Sequence, residues 1–177
     1  YGDVPAAIGM ILIFCYPAFF YLASLLYPQT FGMTLILLVI RLVQNPADVD
    51  WRKGLLVGGL LALLVLAIPS MIFLIPLVLV WLFLYSNHSL LNPLLVCLAA
   101  CAVIAPWTIR NYQLSHRFVF VATNGGVNFF IGNSKKGVIG SVKDVDLADV
   151  KPTGGMDEVE LDHYYKEQAW KYLREHK

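Results

Sequence analysis

Arg110 is the residue of this 177-residue chain whose type and position best suit the binding of a phosphate group. It stands in the sequence PWTIRNY at 106–112, directly after a long uncharged apolar run. Its planar guanidinium can bind two phosphate oxygens at once, and Asn111 follows as a second candidate ligand. The alternative is an interfacial anchor, because Trp, Tyr and Arg gather at the boundary of all kinds of membrane protein. Taken alone, these residue types favour the anchor.

A second candidate is the glycine-rich sequence TNGG at 123–126. Glycines allow a close approach, so backbone N–H groups there can bind an anion or a sugar. The ordinary alternative is a hairpin turn. Gln29, in a predicted loop, can line a cavity, although most such residues merely end a helix. The candidate substrate-binding residues are therefore Arg110, Asn111, Asn124, Gly125, Gly126, Asn128 and Gln29.

No catalytic residue and no metal ligand is expected in this segment. The four histidines are scattered, with no acid or nucleophile at a useful spacing. The three cysteines fall in apolar runs, where they pack as small apolar side chains, and their spacing is not that of a metal site or a disulfide. The net charge is +1 and no basic stripe is present, so nucleic acid is not an expected partner.

The distribution of charge predicts a multi-pass membrane protein. Residues 54–109 contain no Asp, Glu, Lys or Arg, and neither do residues 4–40. A globular surface needs polar side chains and cannot hide so long a run, whereas a bilayer can, since one spanning helix needs about 20 apolar residues. Only 14% of the residues are charged, against about 25% in soluble domains. We expect the protein in the inner or plasma membrane.

Prolines and charges divide the apolar region into about five helices. The predicted spans are 5–27 with a kink at Pro17, 31–43, 54–68, 71–85 and a last helix from 90 or 93 to 106. As one helix, 54–86 would be about 50 Å long, too long for a hydrocarbon core of about 30 Å, so we divide it at Pro69.

The positive residues predict the orientation of these helices. Arg41, Arg52 and Lys53 place the 45–53 loop in the cytoplasm. Counting helices onward places the 86–92 loop inside as well, and everything after Trp107 outside. If 54–86 were a single helix, this orientation would be inverted.

After Trp107 the pattern predicts a small extracytoplasmic segment. Residues 117–123 are β-branched and aromatic, as strands prefer, and the turn at 124–126 followed by apolar 127–131 predicts a β-hairpin. Asp157 is expected to open an amphipathic helix ending near Glu175, lying at the membrane interface. Its apolar stripe comprises Leu161, Tyr165, Ala169, Tyr172 and Leu173. The expected fold is thus mostly α: a polytopic transmembrane helix bundle in 1–106, then a hairpin and an interfacial helix in 107–177.

The stretch 106–133 resembles bacterial membrane glycosyltransferases of the family-39-like group, which includes aminoarabinose-transferase-like and protein O-mannosyltransferase-like enzymes of the GT-C superfamily. The PWxxRNY start, the TNGG core and the Gly-Asn end at 132–133 occur in the order and spacing of that group. The helix pair around Pro69 and the helix at 160–177 are similar to segments of the same group. The resemblance covers nearly the whole chain, but only 106–133 is specific.

The resemblance implies an inverting enzyme that transfers a sugar from a polyprenyl-phosphate carrier to an envelope, lipid or protein acceptor on the extracytoplasmic face. Its catalytic carboxylate is expected upstream of Tyr1, since this chain would be the C-terminal part of the membrane domain. Arg110 fits the implied cation for the lipid phosphate, and membrane lipids are implied partners. No cofactor is certain, and a divalent metal in a longer protein stays open.

Two positions depart from the group, and two other functions remain open. Gln29 stands where many members have an acid, and Ile68 stands where many have Arg before the proline. The first alternative is a non-enzymatic membrane protein that binds or moves lipid-linked sugars. A conventional transporter would need a repeated half, which this sequence does not show.

Overall fold

The computed structural model describes residues 3–18, 21, 28–88, 90–133 and 155–175. Most of these residues lie in helices and none of them lies in a β-strand, which confirms the mostly-α prediction. The helices are α1 (Asp3–Phe14), α2 (Pro28–Val43), α3 (Trp51–Ala67), α4 (Leu74–Tyr85), α5 (Leu91–Ser115), α6 (Gly125–Gly132) and α7 (Glu158–Glu175). The chain divides into two compact units, Tyr1–Pro106 and Trp107–Lys177.

Prolines mark the ends of the first helices. α1 ends at Phe14, shortly before Pro17, which lacks the N–H that would continue the helix. Residues 19, 20 and 22–27 of the predicted first span lie outside the described residues. α2 begins at Pro28, where the fixed φ of proline favours the first turn of a helix. Gln29 therefore lies in a helix, and the predicted loop at this position is wrong.

The predicted division at Pro69 is confirmed. α3 ends at Ala67, a 3-10 turn occupies Pro69–Phe73, and α4 begins at Leu74. At its other end α3 begins earlier than predicted, because the Asp50 carboxylate accepts a hydrogen bond from the Lys53 backbone N–H at 2.9 Å. This N-cap satisfies one of the free donors of the first turn.

The core of the first unit is apolar and joins α2, α3, α4 and α5. Its buried members are Val39, Val43, Val49, Val57, Leu61, Val78, Leu82 and Val96. Two asparagines connect the loops: Asn87 Nδ2 donates to the Ala47 carbonyl at 3.0 Å, and Asn92 Nδ2 donates to the Val49 carbonyl at 2.7 Å. The loop after α2 and the loop after α4 therefore lie at the same end of this unit.

Gly58 allows α3 and α5 to approach closely. A Cβ at this position would overlap the Val96 carbonyl oxygen and lie 2.8 Å from the Ala99 Cβ. A Cβ at Gly54, one turn earlier, would make an ordinary contact with the Leu95 Cβ at 3.4 Å. Small residues four apart are typical of helix packing in membranes.

α5 is the one helix within the described ranges that is long and apolar enough to cross a membrane. The segments Val4–Ile13, Pro28–Val43 and Pro69–Tyr85 are apolar but shorter. The predicted end of this last helix at Pro106 is wrong, because α5 continues to Ser115 with Pro106 in its interior. It ends where His116 adopts a left-handed conformation with φ of 53°, as residues after a helix often do.

The predicted β-hairpin in the second unit is wrong. Residues 118–123 form no strand, and the predicted turn and second strand form the helix α6. Local β-propensity is weak against tertiary contacts, and here the carbonyls of the first predicted strand accept hydrogen bonds from side chains of α5.

The predicted amphipathic helix is confirmed as α7. Asp157 Oδ1 accepts from the Glu160 N–H at 2.7 Å, and Glu160 Oε2 accepts from the Asp157 N–H at 3.2 Å. This reciprocal pair is a capping box. Part of the predicted apolar stripe packs on α6, since Phe130 forms a cluster with Tyr165 and Ala169. The interfacial location of α7 stays a prediction.

Candidate functional site

The C-terminal part of α5 holds the segment that follows it. Trp107 Nε1 donates to the Val121 carbonyl at 3.0 Å, and Thr108 Oγ1 donates to the Phe120 carbonyl at 2.8 Å. Side chains three or four positions apart share one face of a helix. We call Trp107, Thr108 and Asn111 the α5 clamp, because these three side chains bind the backbone of 119–121.

Asn111 belongs to this clamp. Its Nδ2 donates to the Val119 carbonyl at 3.4 Å and to the Val121 carbonyl at 3.3 Å. The Asn111 amide nitrogen is therefore engaged within the protein. The structure gives Asn111 a positioning role, and its predicted role as a substrate ligand stays a prediction.

Arg110 projects from the same turn of α5 but is not part of the clamp. Its Cζ lies 5.1 Å from the centroid of the Trp107 ring, which is the geometry of a cation–π contact. Among the described residues no carboxylate forms an ion pair with Arg110. Trp107 is 42% exposed, so the pair lies at the surface with its charge available.

An open cleft of about 450 Å³ lies beside Arg110. One wall is α5, a second is the segment 117–123 between α5 and α6, which we call the extended segment, and a third is the start of α7. The lining residues are Arg110, Asn111, Leu114, Ser115, Val119, Val121, Ala122, Thr123, Asp157, Glu158 and Val159. The cleft therefore combines one cation with polar groups, apolar side chains and two acids.

Arg117 is a second cation in this part of the second unit, and it forms ion pairs with two carboxylates. Its Nη2 lies 2.7 Å from Glu160 Oε1, and its Nη1 lies 3.7 Å from Asp157 Oδ1. The hydrogen bond to Glu160 raises the pKa of Arg117, and the same bond lowers the pKa of Glu160. Arg117 thus fastens the extended segment to the first turn of α7, which leaves Arg110 as the cation of the cleft.

The TNGG sequence begins α6, and one of its N–H groups is already paired. The Gly126 N–H donates to Asp162 Oδ1 at 2.5 Å. A Cβ at Gly126 would overlap the backbone oxygen of Asp162, so glycine is needed for this close approach. The carboxylate of Asp162 therefore accepts the Gly126 N–H, which the sequence analysis proposed as a donor to an external anion.

The remaining candidates do not line the cleft. Asn124, Gly125 and Asn128 are exposed on α6 or at its start, and the Asn128 N–H donates to the Asn124 carbonyl at 3.2 Å. Gln29 lies exposed in the first turn of α2, in the first unit. Of the predicted residues, the cleft brings together only Arg110 and Asn111.

Sequence reasoning missed the clamp and the acid that pairs with Gly126. The sequence analysis predicts that the helix ends before Trp107 and Thr108. The polar donors at 107, 108 and 111 share one helix face, which is the local signal for the clamp. Nothing local indicates Asp162, because it lies 36 positions from Gly126. Within the described part of the chain, no group of three or more His, Cys, Asp or Glu side chains is placed to hold a metal ion.

Comparisons of the chain with protein families, with curated proteins and with solved structures gave no match.

Proposed function

We propose that this chain belongs to an integral-membrane glycosyltransferase that transfers a sugar from a polyprenyl-phosphate donor, with Arg110 binding the phosphate. The observation that carries the proposal is an exposed guanidinium with no carboxylate partner among the described residues, held over Trp107 and lining an open cleft. This cleft lies on the last turns of the helix that is able to cross a membrane.

The chemistry of sugar transfer suits a cation at this place. When the bond between the sugar and the phosphate breaks, negative charge grows on the leaving phosphate. A fixed cation stabilises that charge more in the transition state than in the ground state. The forked guanidinium can donate two parallel hydrogen bonds to phosphate oxygens. Contact with Trp107 restricts its side chain before the ligand arrives.

Exposed apolar side chains support a location within lipid. On α2, Phe31, Leu37 and Ile40 are exposed while Leu35 and Val39 are buried, so the helix is apolar on several sides. A helix that is hydrophobic all round belongs in a membrane or a large core. We propose a multi-pass protein in the inner or plasma membrane.

The orientation follows from the positive residues and from α5. Arg41, Arg52 and Lys53 assign their loop to the cytoplasmic side. α5 begins at the same end of the first unit and has 25 residues, about 37 Å of helix. On this proposal its C-terminal turns, the clamp and Arg110 lie at the extracytoplasmic surface, where a lipid-linked sugar is presented.

The test is sugar transfer by membranes from cells that express Arg110→Gln in the longer protein, whose upstream part is expected to supply the catalytic carboxylate. The matched control is Arg52→Gln, because the Arg52 Cζ also lies 5.1 Å from the centroid of a neighbouring tryptophan ring, that of Trp51. We expect Arg110→Gln to lower the rate of transfer from a polyprenyl-phosphate sugar by roughly a hundredfold. Arg52→Gln should leave the rate within about twofold of the unaltered protein.

Two results would contradict the proposal. An unchanged rate with Arg110→Gln would remove this residue from the site. Binding of the lipid-linked sugar by the unaltered protein, without any release or transfer of the sugar, would favour the non-enzymatic carrier-binding alternative.

A further inference from the structure

A second polar pocket lies in the first unit, where α2 ends and α3 begins. Its volume is about 340 Å³. The residues that line it are Arg41, Leu42, Gln44, Asn45, Asp48 and Lys53. Neither the candidate site in the second unit nor the proposed transfer reaction uses these residues.

The pocket holds two cations that are available to a ligand. The side chain of Arg41, in the last turn of α2, has no hydrogen bond or ion pair with any other described residue. The Lys53 Nζ donates to the Asp48 backbone carbonyl at 2.8 Å, which fixes the ammonium at the pocket and leaves further hydrogens to donate. Asp48 is the only carboxylate among the lining residues, so the pocket is net positive. The Asp50 carboxylate accepts from the Lys53 backbone N–H instead.

The surface beside the pocket is apolar and aromatic. Leu38 and Ile40, on the same end of α2 as Arg41, are 46% and 52% exposed. Trp51 is 54% exposed, and Trp81 Nε1 donates to the Val43 carbonyl at 3.0 Å at the end of α2. Tryptophans of this kind lie at the level of lipid headgroups, while the apolar side chains suit acyl chains.

We propose that this pocket binds the headgroup of an acidic phospholipid. Arg41 and Lys53 bind the phosphate, since basic pockets between membrane helices suit anionic headgroups. The amides of Gln44 and Asn45 and the carboxylate of Asp48 face the hydroxyl groups of a headgroup such as glycerol. Inorganic phosphate shares this chemistry, but the exposed apolar end of α2 favours a ligand with acyl chains.

The test titrates the full chain, in a neutral detergent, with phosphatidylglycerol and with phosphatidylcholine, and counts bound lipids by native mass spectrometry. We expect phosphatidylglycerol to bind in preference to phosphatidylcholine. Arg41→Gln should weaken that binding about fivefold, and the double change Arg41→Gln with Lys53→Gln about thirtyfold. Circular dichroism checks that the helical content is unchanged.

One variant serves as the control. Arg52→Gln removes the same charge from the same loop, but Arg52 lies over Trp51 and does not line the pocket, so binding should stay within about twofold. The pocket and the cleft beside Arg110 share no lining residue, so either proposal can fail while the other stands.

Three results would overturn the inference. Equal loss of binding with Arg52→Gln would show a general attraction to the loop, and unchanged binding with the double variant would exclude the pocket. Displacement of the lipid by a modest excess of inorganic phosphate would identify a free-phosphate site instead. Arg41→Gln carries most weight, because Arg41 makes no hydrogen bond that its substitution would break.

Discussion

Arg110 and Asn111 are neighbours in the sequence but occupy different environments. The Asn111 amide nitrogen donates to the carbonyls of Val119 and Val121, and the side chain therefore positions one wall of the cleft. The Arg110 guanidinium forms no ion pair with a described carboxylate, and it lies over the Trp107 ring. A single turn of α5 thus supplies both the support of the cleft and its cation.

Replacing Asn111 with alanine should loosen the extended segment. The Val119 carbonyl would lose its amide donor, while the Val121 carbonyl would keep only the bond from Trp107. This loss costs about 1 kcal/mol and corresponds to roughly fivefold faster hydrogen exchange in 117–123. Gln113→Ala is the matched control, because Gln113 is an exposed amide on the same helix. Equal exchange rates in the two variants would show that Asn111 does not hold this segment.

At the scale of elements, α6 and α7 form the most extensive helix–helix contact in the described part of the second unit. Phe130 packs against Tyr165, with 5.5 Å between ring centroids, and Phe129 packs against Trp170 at 5.3 Å. Gly126 permits this contact, since a side chain there would meet the backbone of Asp162.

The two neighbouring glycines of α6 should therefore respond differently to alanine. Gly126→Ala forces the helices apart and should lower the free energy of unfolding of this unit by about 1–3 kcal/mol. Gly125→Ala meets no atom within 4 Å and should be neutral or slightly stabilising, because alanine favours helix. Thermal unfolding followed by circular dichroism compares them. Equal destabilisation would contradict the close approach.

The first turn of α7 should lose stability in acid. The hydrogen bond from Arg117 lowers the pKa of Glu160 below its ordinary value of 4.5, so the pair contributes stability above that value. The contribution is lost as the pH falls through the lowered pKa. Hydrogen-exchange protection of 158–161 should decline below pH 4.5, only modestly because both side chains are exposed.

Glu160→Gln is the control for this pH dependence. The glutamine side chain does not ionise, so the protection of the same residues should change less over this pH range. If both proteins lose protection at the same pH, another group is responsible.

The sequence predicts an element correctly where the residues that determine it are close neighbours in the chain. It fails where distant residues determine the structure. The division at Pro69 and the start of α7 directly after Asp157 follow from residues within one turn of each boundary, and the sequence predicts both. The hairpin failed because donors on α5 take the carbonyls of 119–121, and because Gly126 packs against an element 36 positions away. In the site, the type of Arg110 was visible in the sequence, but the pairing of Asn111 and Gly126 within the protein was not.

At the scale of the whole molecule, we propose a membrane protein with two phosphate-binding surfaces, the cleft beside Arg110 and the pocket beside Arg41. α5 is long and apolar enough to span a bilayer, and the first unit exposes apolar side chains on α1, α2 and α4. The predicted multi-pass arrangement and the extracytoplasmic position of the second unit remain part of the proposal. The cation of the cleft, Arg110, is its central element.

The most direct measurement is the affinity of polyprenyl phosphate for the full chain in phosphatidylcholine nanodiscs, compared among the unaltered protein, Arg110→Gln and Arg52→Gln. Hydrogen bonds to a charged group contribute about 1.5–3 kcal/mol, so Arg110→Gln should weaken binding at least about tenfold. Arg52→Gln should bind as the unaltered protein does. Equal affinity of all three proteins would contradict the assignment of Arg110 to the lipid phosphate, and with it the proposed function.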